Sequence, residues 1–464
     1  MKYIIIALFA IITNLHAAQI NDISGLNQTE ISQLITVPKE SPVSFLQNVI
    51  HIAKKNHSTV SMRGVQHSQG GHTFYPKGIV LDLSNLNAME IISPDVLRVQ
   101  AGATWKQVIE FINSLDLSVG VMQSDNDFTI GGSVSTNVHG WQANKPPMIS
   151  TIKGLHILTA DGVMRYCSLK ENPELFKAVI GGYGLLGLII DVDLQLVQNH
   201  LYKFQQWAIK SGEFNEYFEK HVQNNEQARM FFGRFSLKTD NFLDQIVFRV
   251  YEDTGKMAKK REISSYSYAE GILKWLFGKT AKSDFYKGIR WRIETSSLIT
   301  KLFNNLSRNQ LLQHSVNNYI SENDDSTDLL QEYFVPVERF NEFIAHLKSM
   351  QPDLIDSLMN VTIRQVQSDN ESILNYAPKE MVCFVMFFRG PKTEQFDNHM
   401  RDISVKMTAK ALELGGSYYL PYRPYQTKKQ FKAAYPRYKE FKHVKHHYDP
   451  HGIFMNKFWQ NYLS

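Results

Sequence analysis

Hydrophobic and polar positions divide the 464-residue chain into stretches of different period. Met1-Lys2 is followed by an unbroken apolar run over residues 3–12 and then by Thr13-Asn-Leu-His-Ala-Ala18. One positive charge, a short apolar core and small residues beyond it predict a secretory signal peptide over residues 1–18, cut after Ala17 or Ala18. The run is too short to cross a bilayer, and the other reading is a buried first helix. Over residues 42–196 short apolar runs alternate with helical periods. Residues 97–101 predict a strand, and Val108, Ile109, Ile112 and Leu115 share one face of a helix over 105–115. Residues 155–164 read as a hairpin around Asp161-Gly162, and 185–196 as a last apolar strand. From about Asn199 aromatic strands such as 228–235 alternate with polar helices. The mixture predicts an α+β protein, with room for two units carrying insertions, or three.

Composition narrows the class. With 43% hydrophobic residues the chain can bury a large core, which excludes disorder, and no later apolar run is long enough for a polytopic membrane protein. Fifty Lys and Arg against 45 Asp and Glu leave a net charge of +5, too little for a dedicated nucleic-acid binder, so no nucleic-acid partner is expected. Two cysteines, Cys167 and Cys383, exclude a four-cysteine zinc site or a cysteine-held iron–sulfur cluster. Cys383 lies in the apolar run 381–388 and reads as a buried thiol. His443 and His447 are spaced i,i+4, but the surrounding lysines favour a plain basic helix face, and no metal is expected. Charge concentrates only over 256–308, where 12 Lys and Arg meet 4 Asp and Glu. That stretch, with Ile272-Leu-Lys-Trp-Leu-Phe277, reads as a solvated helical insertion, or alternatively as a basic amphipathic surface for peripheral membrane contact.

Glycines cluster before residue 190, where they permit positive φ and close approach of backbone to a ligand. Gly182-Tyr-Gly-Leu-Leu-Gly187 matches G-x-G-x-x-G. A dinucleotide fingerprint needs a strand before it and a helix after it; here the pattern predicts the reverse, a turn from helix to strand. The loop Ser61-Met-Arg-Gly-Val-Gln-His-Ser-Gln-Gly-Gly-His72 can form a nest of backbone N–H groups of the kind that binds a pyrophosphate. The segment 124–140, with Thr129-Ile-Gly-Gly-Ser133 and His139-Gly140, reads as the second wall of the same site.

These elements, in this order, resemble the flavin-binding half of the vanillyl-alcohol-oxidase superfamily, and are similar to aldonolactone and alditol oxidases and to decaprenylphosphoryl-ribose oxidase. Gly415-Gly-Ser-Tyr-Tyr-Leu-Pro-Tyr-Arg423, residues 434–441 and Tyr448-Asp-Pro-His-Gly-Ile-Phe-Met-Asn456 resemble the family's closing segment. The resemblance implies a two-domain PCMH-type FAD-binding fold. An FAD-binding domain would span 36–200, completed by 421–464, with a substrate (cap) domain over 201–420 that carries the insertion 256–308. It implies FAD, contacted by Arg63, Gly64, Val65, Gln66, His67, Ser68, Thr129, Ile130, Gly131, Gly132, Ser133, Thr136, Asn137, Val138, Gly184, Gly187, Ile189 and Asn456. His67 falls where many members bond histidine covalently to the flavin, with His72 a weaker candidate. Val138 lines the flavin in relatives, where bulk hinders oxygen.

The implied reaction is oxidation of a CH–OH group in an exported, periplasmic or secreted, enzyme. Its partners would be a small-molecule substrate and an electron acceptor, oxygen or a periplasmic carrier. His139 resembles a residue near the reactive face, though a structural histidine fits equally. Tyr422 stands where sugar-oxidising relatives carry lysine. A tyrosine needs help to act as base, and Arg423 beside it would favour the phenolate, or the two would anchor a carboxylate or phosphate. Arg364 matches an alditol-oxidase arginine, but Thr362 stands where an acid is expected. These departures leave an alternative open: a flavin-fold protein without catalysis, acting as a basic membrane- or partner-binding module.

Overall fold

The computed structural model describes residues 18–259, 262–263, 278–280, 283–321 and 323–464. The leader-like residues 1–17 and the 272–277 segment lie outside the described residues.

The first half of the chain folds around two sheets. A parallel three-stranded sheet has the order Gln33–Thr36, Ile79–Asp82, Val60–Arg63. Helix Pro42–Lys55 connects its outer strands and buries Leu46, Val49, Ile50 and Ala53, the i, i+3, i+4, i+7 stripe of a half-buried helix. The second sheet is antiparallel, in the order Met164–Cys167, Ile152–Leu158, Leu188–Gln198, Val96–Gln100, Met89–Ser93, with Leu117–Val119 also pairing with Leu188–Gln198. Helix Trp105–Asn113 starts at a capping box between Thr104 and Gln107 and buries Val108, Ile109 and Ile112. It ends before Leu115, which is exposed instead of sharing the buried face.

The G-x-G-x-x-G segment follows helix Pro173–Val179 and precedes strand Leu188–Gln198, so it is a helix-to-strand turn. Glycine is required there. Gly184 has φ +71° with Met62 where a Cβ would sit, and Gly187 has φ +153° with the Leu158 carbonyl 2.6 Å from that position.

The second half is built on one eight-stranded antiparallel sheet. Its order is Leu306–Ser307, His200–Lys210, Gln245–Met257, Ala228–Phe235, Leu358–Val366, Met381–Pro391, Ser326–Pro336, Ser417–Tyr418. Helices Phe340–Ser349 and Glu394–Glu413 pack against it through apolar faces. Alternation along the strands sends the other side chains, Arg234, Thr362, Arg364 and Glu332 among them, toward the glycine-rich loops.

The chain then returns to the first half. The Val60 amide donates to the Ile453 carbonyl at 2.6 Å, and the Met455 amide to the Val60 carbonyl at 3.1 Å. Asp449 fixes this return: it pairs with buried Lys445 and accepts from the amides of Ile453 and Phe454, both at 2.8 Å.

Candidate active site

A cavity of about 1040 Å³ lies between the loops of the first half and the sheet of the second. The strand Val60–Arg63 delivers the loop 64–69 to it. Arg63 donates to Asp82 from Nε (3.1 Å) and Nη2 (2.7 Å) and to Gln66 from Nη1 (2.9 Å), so its charge braces the loop. Gln66 takes φ +58° and holds the Asn21 carbonyl at 2.7 Å. Thr129 caps helix Ile130–Thr136 through the Gly132 amide. Gly64, Gly131 and Gly132 form a cradle in which a Cβ would strike Thr129 or Ala101.

Of the sequence-predicted flavin contacts, Arg63, Gly64, Val65, Gln66, His67, Ser68, Thr129, Gly131, Gly132, Thr136, Val138, Gly184, Gly187 and Ile189 line this cavity. Four others do not and are corrected here. Ile130 and Ser133 lie on the inward face of their short helix: Ile130 is core, and the Ser133 hydroxyl sits between the Trp105 indole and Gln123, each at 2.9 Å. Asn137 braces Asp369 and the Ile149 amide. Asn456 donates to the Tyr183 carbonyl at 2.6 Å and accepts from the Trp459 amide, the helix-cap alternative.

The cradle has the features a dinucleotide needs. His67 Nδ1, Ser68 Oγ and both ring nitrogens of His72 are buried and without a hydrogen-bond partner among the described residues. Buried polar atoms are normally satisfied by protein, water or a ligand, and these four converge on the cavity. Burial drives the His72 pKa down to about 3, which keeps that ring neutral. Backbone glycines, two orphaned imidazoles and a hydroxyl match the phosphates, ribose and ring edge of FAD.

Facing the same cavity, strand Ser326–Pro336 presents Glu332, a fully buried carboxylate. Its Oε2 meets His139 Nε2 at 2.7 Å and accepts from the Cys383 thiol at 3.2 Å; its Oε1 accepts from the Tyr422 hydroxyl at 2.5 Å. Burial pushes the Glu332 pKa up, but the His139 ring, the Arg364 charge and the Tyr422 hydroxyl outweigh it and hold it at about 2. As a carboxylate it can only accept, so all three neighbours donate to it. Arg364, two positions beyond Thr362 on the neighbouring strand face, donates from Nη2 to Ser124 Oγ at 2.7 Å.

Three expectations change in this setting. Burial, and then the adjacent Glu332 anion, push the Tyr422 pKa well above 10; a phenol, not a phenolate, faces the cavity. Arg423 does not assist it: its guanidinium donates to Asp397 at 2.8 Å and Asn27 at 2.9 Å, outside the cavity lining. Helix Asp284–Glu294 of the insertion has no fully buried residue, in keeping with a solvated helix, but its Arg290 and Glu294 line the cavity. Glu332 itself was missed. The one available signal is an acid between apolar neighbours in Leu329-Leu-Gln-Glu-Tyr-Phe-Val335, where a strand reads as buried. Cys383 is a buried thiol as expected, but its contact with Glu332 depends on strand pairing that no local pattern carries.

The glycine-lined cradle, the orphaned imidazoles and the buried acid at the opposite wall define an FAD-dependent oxidoreductase acting on CH–OH donors. A family model described as "FAD binding domain" matches residues 43–168, and one described as "D-arabinono-1,4-lactone oxidase" matches residues 192–462, more than half of the chain. The chain therefore belongs to the D-arabinono-1,4-lactone oxidase family. It is 21% identical to decaprenylphosphoryl-beta-D-ribose oxidase of Mycolicibacterium smegmatis over 453 residues, covering 93% of this chain and 95% of that one. It is 21% identical to L-gulonolactone oxidase of Bos taurus over 431 residues, covering 90% and 92%. A putative D-arabinono-1,4-lactone oxidase of Neurospora crassa is 26% identical over 243 residues, covering 51% and 43%. Enzymes so related act on small molecules and pass electrons to an acceptor such as oxygen, which sets aside the non-catalytic alternative.

Proposed function

We propose that the chain oxidises the CH–OH carbon of a sugar-, lactone- or alcohol-like substrate held between the loop 64–69 and the wall formed by Glu332, His139, Tyr422 and Arg364. The observation that carries this reading is the buried Glu332 carboxylate accepting from His139 and Tyr422 at the cavity surface. When bound, FAD supplies the acceptor for the hydride that leaves the carbon. The protein handles the proton. Tyr422 receives the substrate hydroxyl proton as its own passes to Glu332 Oε1, already within hydrogen-bond reach. Glu332 is a weak base, but an alcohol losing hydride becomes a protonated carbonyl, a strong acid, so a weak base at the right position suffices. His139 holds the carboxylate from its other oxygen. Arg364 supplies positive charge to the substrate oxygen and to the carboxylate. Trp141, Val385, Phe387 and Tyr419 line the same space and exclude water.

The reading extends to two further points. His67 is the side chain for a covalent bond to the flavin; its ring is half-buried at the cavity, edge-on to Phe128, with Nδ1 unpartnered. Export rests on the leader-like pattern of residues 1–18, and N-terminal sequencing of the mature protein should begin at Ala18 or Gln19. The reaction class is tested by mixing the purified enzyme anaerobically with polyols, aldonolactones, hydroxy acids and phenolic alcohols. Bleaching of the flavin absorbance by one of them is expected; no bleaching by any would overturn the reading.

A further inference from the structure

Three metal-ligating side chains of different chemistry meet at the cavity wall: the His139 imidazole, the Glu332 carboxylate and the Cys383 thiol. All three are buried. His139 Nε2 lies 2.7 Å and Cys383 Sγ 3.2 Å from the same oxygen, Glu332 Oε2, and Sγ and Nε2 are 3.8 Å apart. The three donor atoms form a closed triangle.

The fold holds that triangle from three directions. Strand Ser326–Pro336 pairs with Met381–Pro391 so that Glu332 stands opposite Val385 and Phe334 opposite Cys383. Glu332 and Cys383 are therefore diagonal neighbours on one sheet face. His139 follows helix Ile130–Thr136, and its ring is wedged among Phe334, Tyr376 and Tyr419, with centroids 5.3, 5.7 and 5.5 Å away. Its Nδ1 lies 3.4 Å from the Gly140 carbonyl. A backbone carbonyl beside one ring nitrogen gives a metal-binding histidine a place for its remaining proton while the other nitrogen bonds the ion.

Zinc bonds oxygen, nitrogen and sulfur at about 2.0–2.3 Å, which puts neighbouring ligands of a tetrahedral ion about 3.3–3.6 Å apart. The observed edges straddle that range, so movements of a few tenths of an ångström seat the ion. Thiolate and imidazole suit zinc, whereas magnesium and calcium take oxygen ligands. One thiolate and one carboxylate neutralise the charge of the ion. His139 and Glu332 line the cavity and Cys383 stands behind them, so the ion enters from the cavity and keeps its fourth position there for water. Arg364 pairs with Cys383 across the neighbouring strand, but its Nη2 turns to Ser124, and it makes no hydrogen bond to the three donors among the described residues.

We infer that His139, Glu332 and Cys383 form a reversible zinc site whose occupation stops the enzyme. As the Zn–S bond forms, the thiol S–H bond breaks and its proton leaves to solvent; no electrons change hands. The binding stands on the geometry alone. The inhibition rests on the oxidoreductase reading above, because an ion on Oε2 takes up the negative charge with which Glu332 accepts the proton of Tyr422.

The test uses the FAD-loaded enzyme, first freed of metal with EDTA. Cadmium, the spectroscopic stand-in for zinc, should give a thiolate-to-metal charge-transfer band in the wild type and in Cys167→Ser, and none in Cys383→Ser. Cys167 is the only other cysteine, so the band assigns the sulfur. The exposed His443, His446, His447 and His451 give no such band. Zinc titrated by calorimetry should bind the wild type with a Kd of about 1 μM or tighter. Cys383→Ser should weaken that binding roughly 100-fold or more, since losing even a group that only orients a ligand costs about 10–100-fold. Zinc should slow anaerobic flavin reduction in the wild type, EDTA should restore it, and Cys383→Ser should resist zinc when compared with its own zinc-free rate. Retained flavin colour and circular dichroism establish that each variant is folded and loaded, and Cys383→Ala replaces the serine variant if that one is not. No cadmium band in the wild type, or a band that survives the loss of Cys383, would overturn the site. A filled site with unslowed flavin reduction would overturn the inhibition. An enzyme whose flavin no substrate reduces before zinc is added sinks the oxidoreductase reading instead, while the cadmium band still decides the site.

Discussion

Replacing Glu332 by glutamine removes the charge while keeping the shape, and the structure sets the size of the effect. The carboxylate accepts from His139 at 2.7 Å, Tyr422 at 2.5 Å and Cys383 at 3.2 Å. An amide offers one acceptor oxygen and one NH₂ donor, so either His139 or Tyr422 faces a donor where it had an acceptor. Hydrogen bonds to a charged group are worth about 1.5–3 kcal/mol each. The variant also loses the final proton acceptor, for which general-base catalysis contributes about 10²–10⁴-fold. At 1.36 kcal/mol per decade, a loss of about 3–5 kcal/mol predicts that flavin reduction slows by roughly 10²–10⁴. The assay is anaerobic stopped-flow reduction at saturating substrate, using the compound that bleaches the wild-type flavin. The limiting rate should fall, while FAD content stays constant because Glu332 does not contribute to the glycine cradle. The variant should also change the acid side of the stability curve. The Glu332 pKa is depressed from 4.5 to about 2 in the fold. Its contribution to stability is therefore complete above pH 4.5 and lost as the pH falls toward 2. Glu332→Gln should lose that part of the acid dependence. A variant that reduces its flavin at the wild-type rate would refute the role given to this carboxylate.

Other expectations follow from single contacts. In the wild type, flavin colour should stay with the acid-precipitated protein, and His67→Ala should release it to the supernatant; colour that is released from the wild type removes the covalent bond from the account. Arg423→Gln breaks the contacts with Asp397 and Asn27, so it should cost about 1–3 kcal/mol in urea unfolding while leaving kcat within about twofold; a large loss of kcat at full stability would return Arg423 to the active site. Burial raises the Asp125 pKa from 3.8 to about 6, so the fold favours its neutral form and loses stability as the pH climbs from about 4 through 6. Asp125→Asn keeps an acceptor for Tyr319 and should match the wild-type Tm near pH 3, then exceed it above pH 6 by the equivalent of about 3 kcal/mol at most; parallel Tm curves would show that the buried carboxyl is not the cause.

The cradle side of the site was legible along the chain because its chemistry is local. A pyrophosphate nest needs glycines at fixed offsets within one loop, so 64–69 and 129–132 carry it in plain order. Helix periods, the Asp161-Gly162 hairpin and the helix-to-strand turn at 182–187 are likewise short-range properties. Even there, which residue of a short helix faces inward was not readable: Ile130 and Ser133 share a segment with Gly131 and Gly132, and only the packing of Trp105 and Gln123 separates them.

The opposite wall was decided by tertiary structure alone. Glu332, Cys383, Thr362 and Arg234 sit on four strands drawn from 228 to 391, and nothing near any of them names the others. Their meeting depends on antiparallel register, in which a shift of one residue would send each side chain to the helix-covered face. Adjacency in sequence misled at Tyr422 and Arg423 for a related reason: they follow a turn outside the strands, where Tyr422 joins Glu332 and Arg423 joins Asp397. The sequence by itself determined the cofactor side and the α+β class, because those rest on contacts within a few residues; register between distant strands decided which acid and which arginines share the cavity, and the turn after Tyr418 decided which phenol joins them.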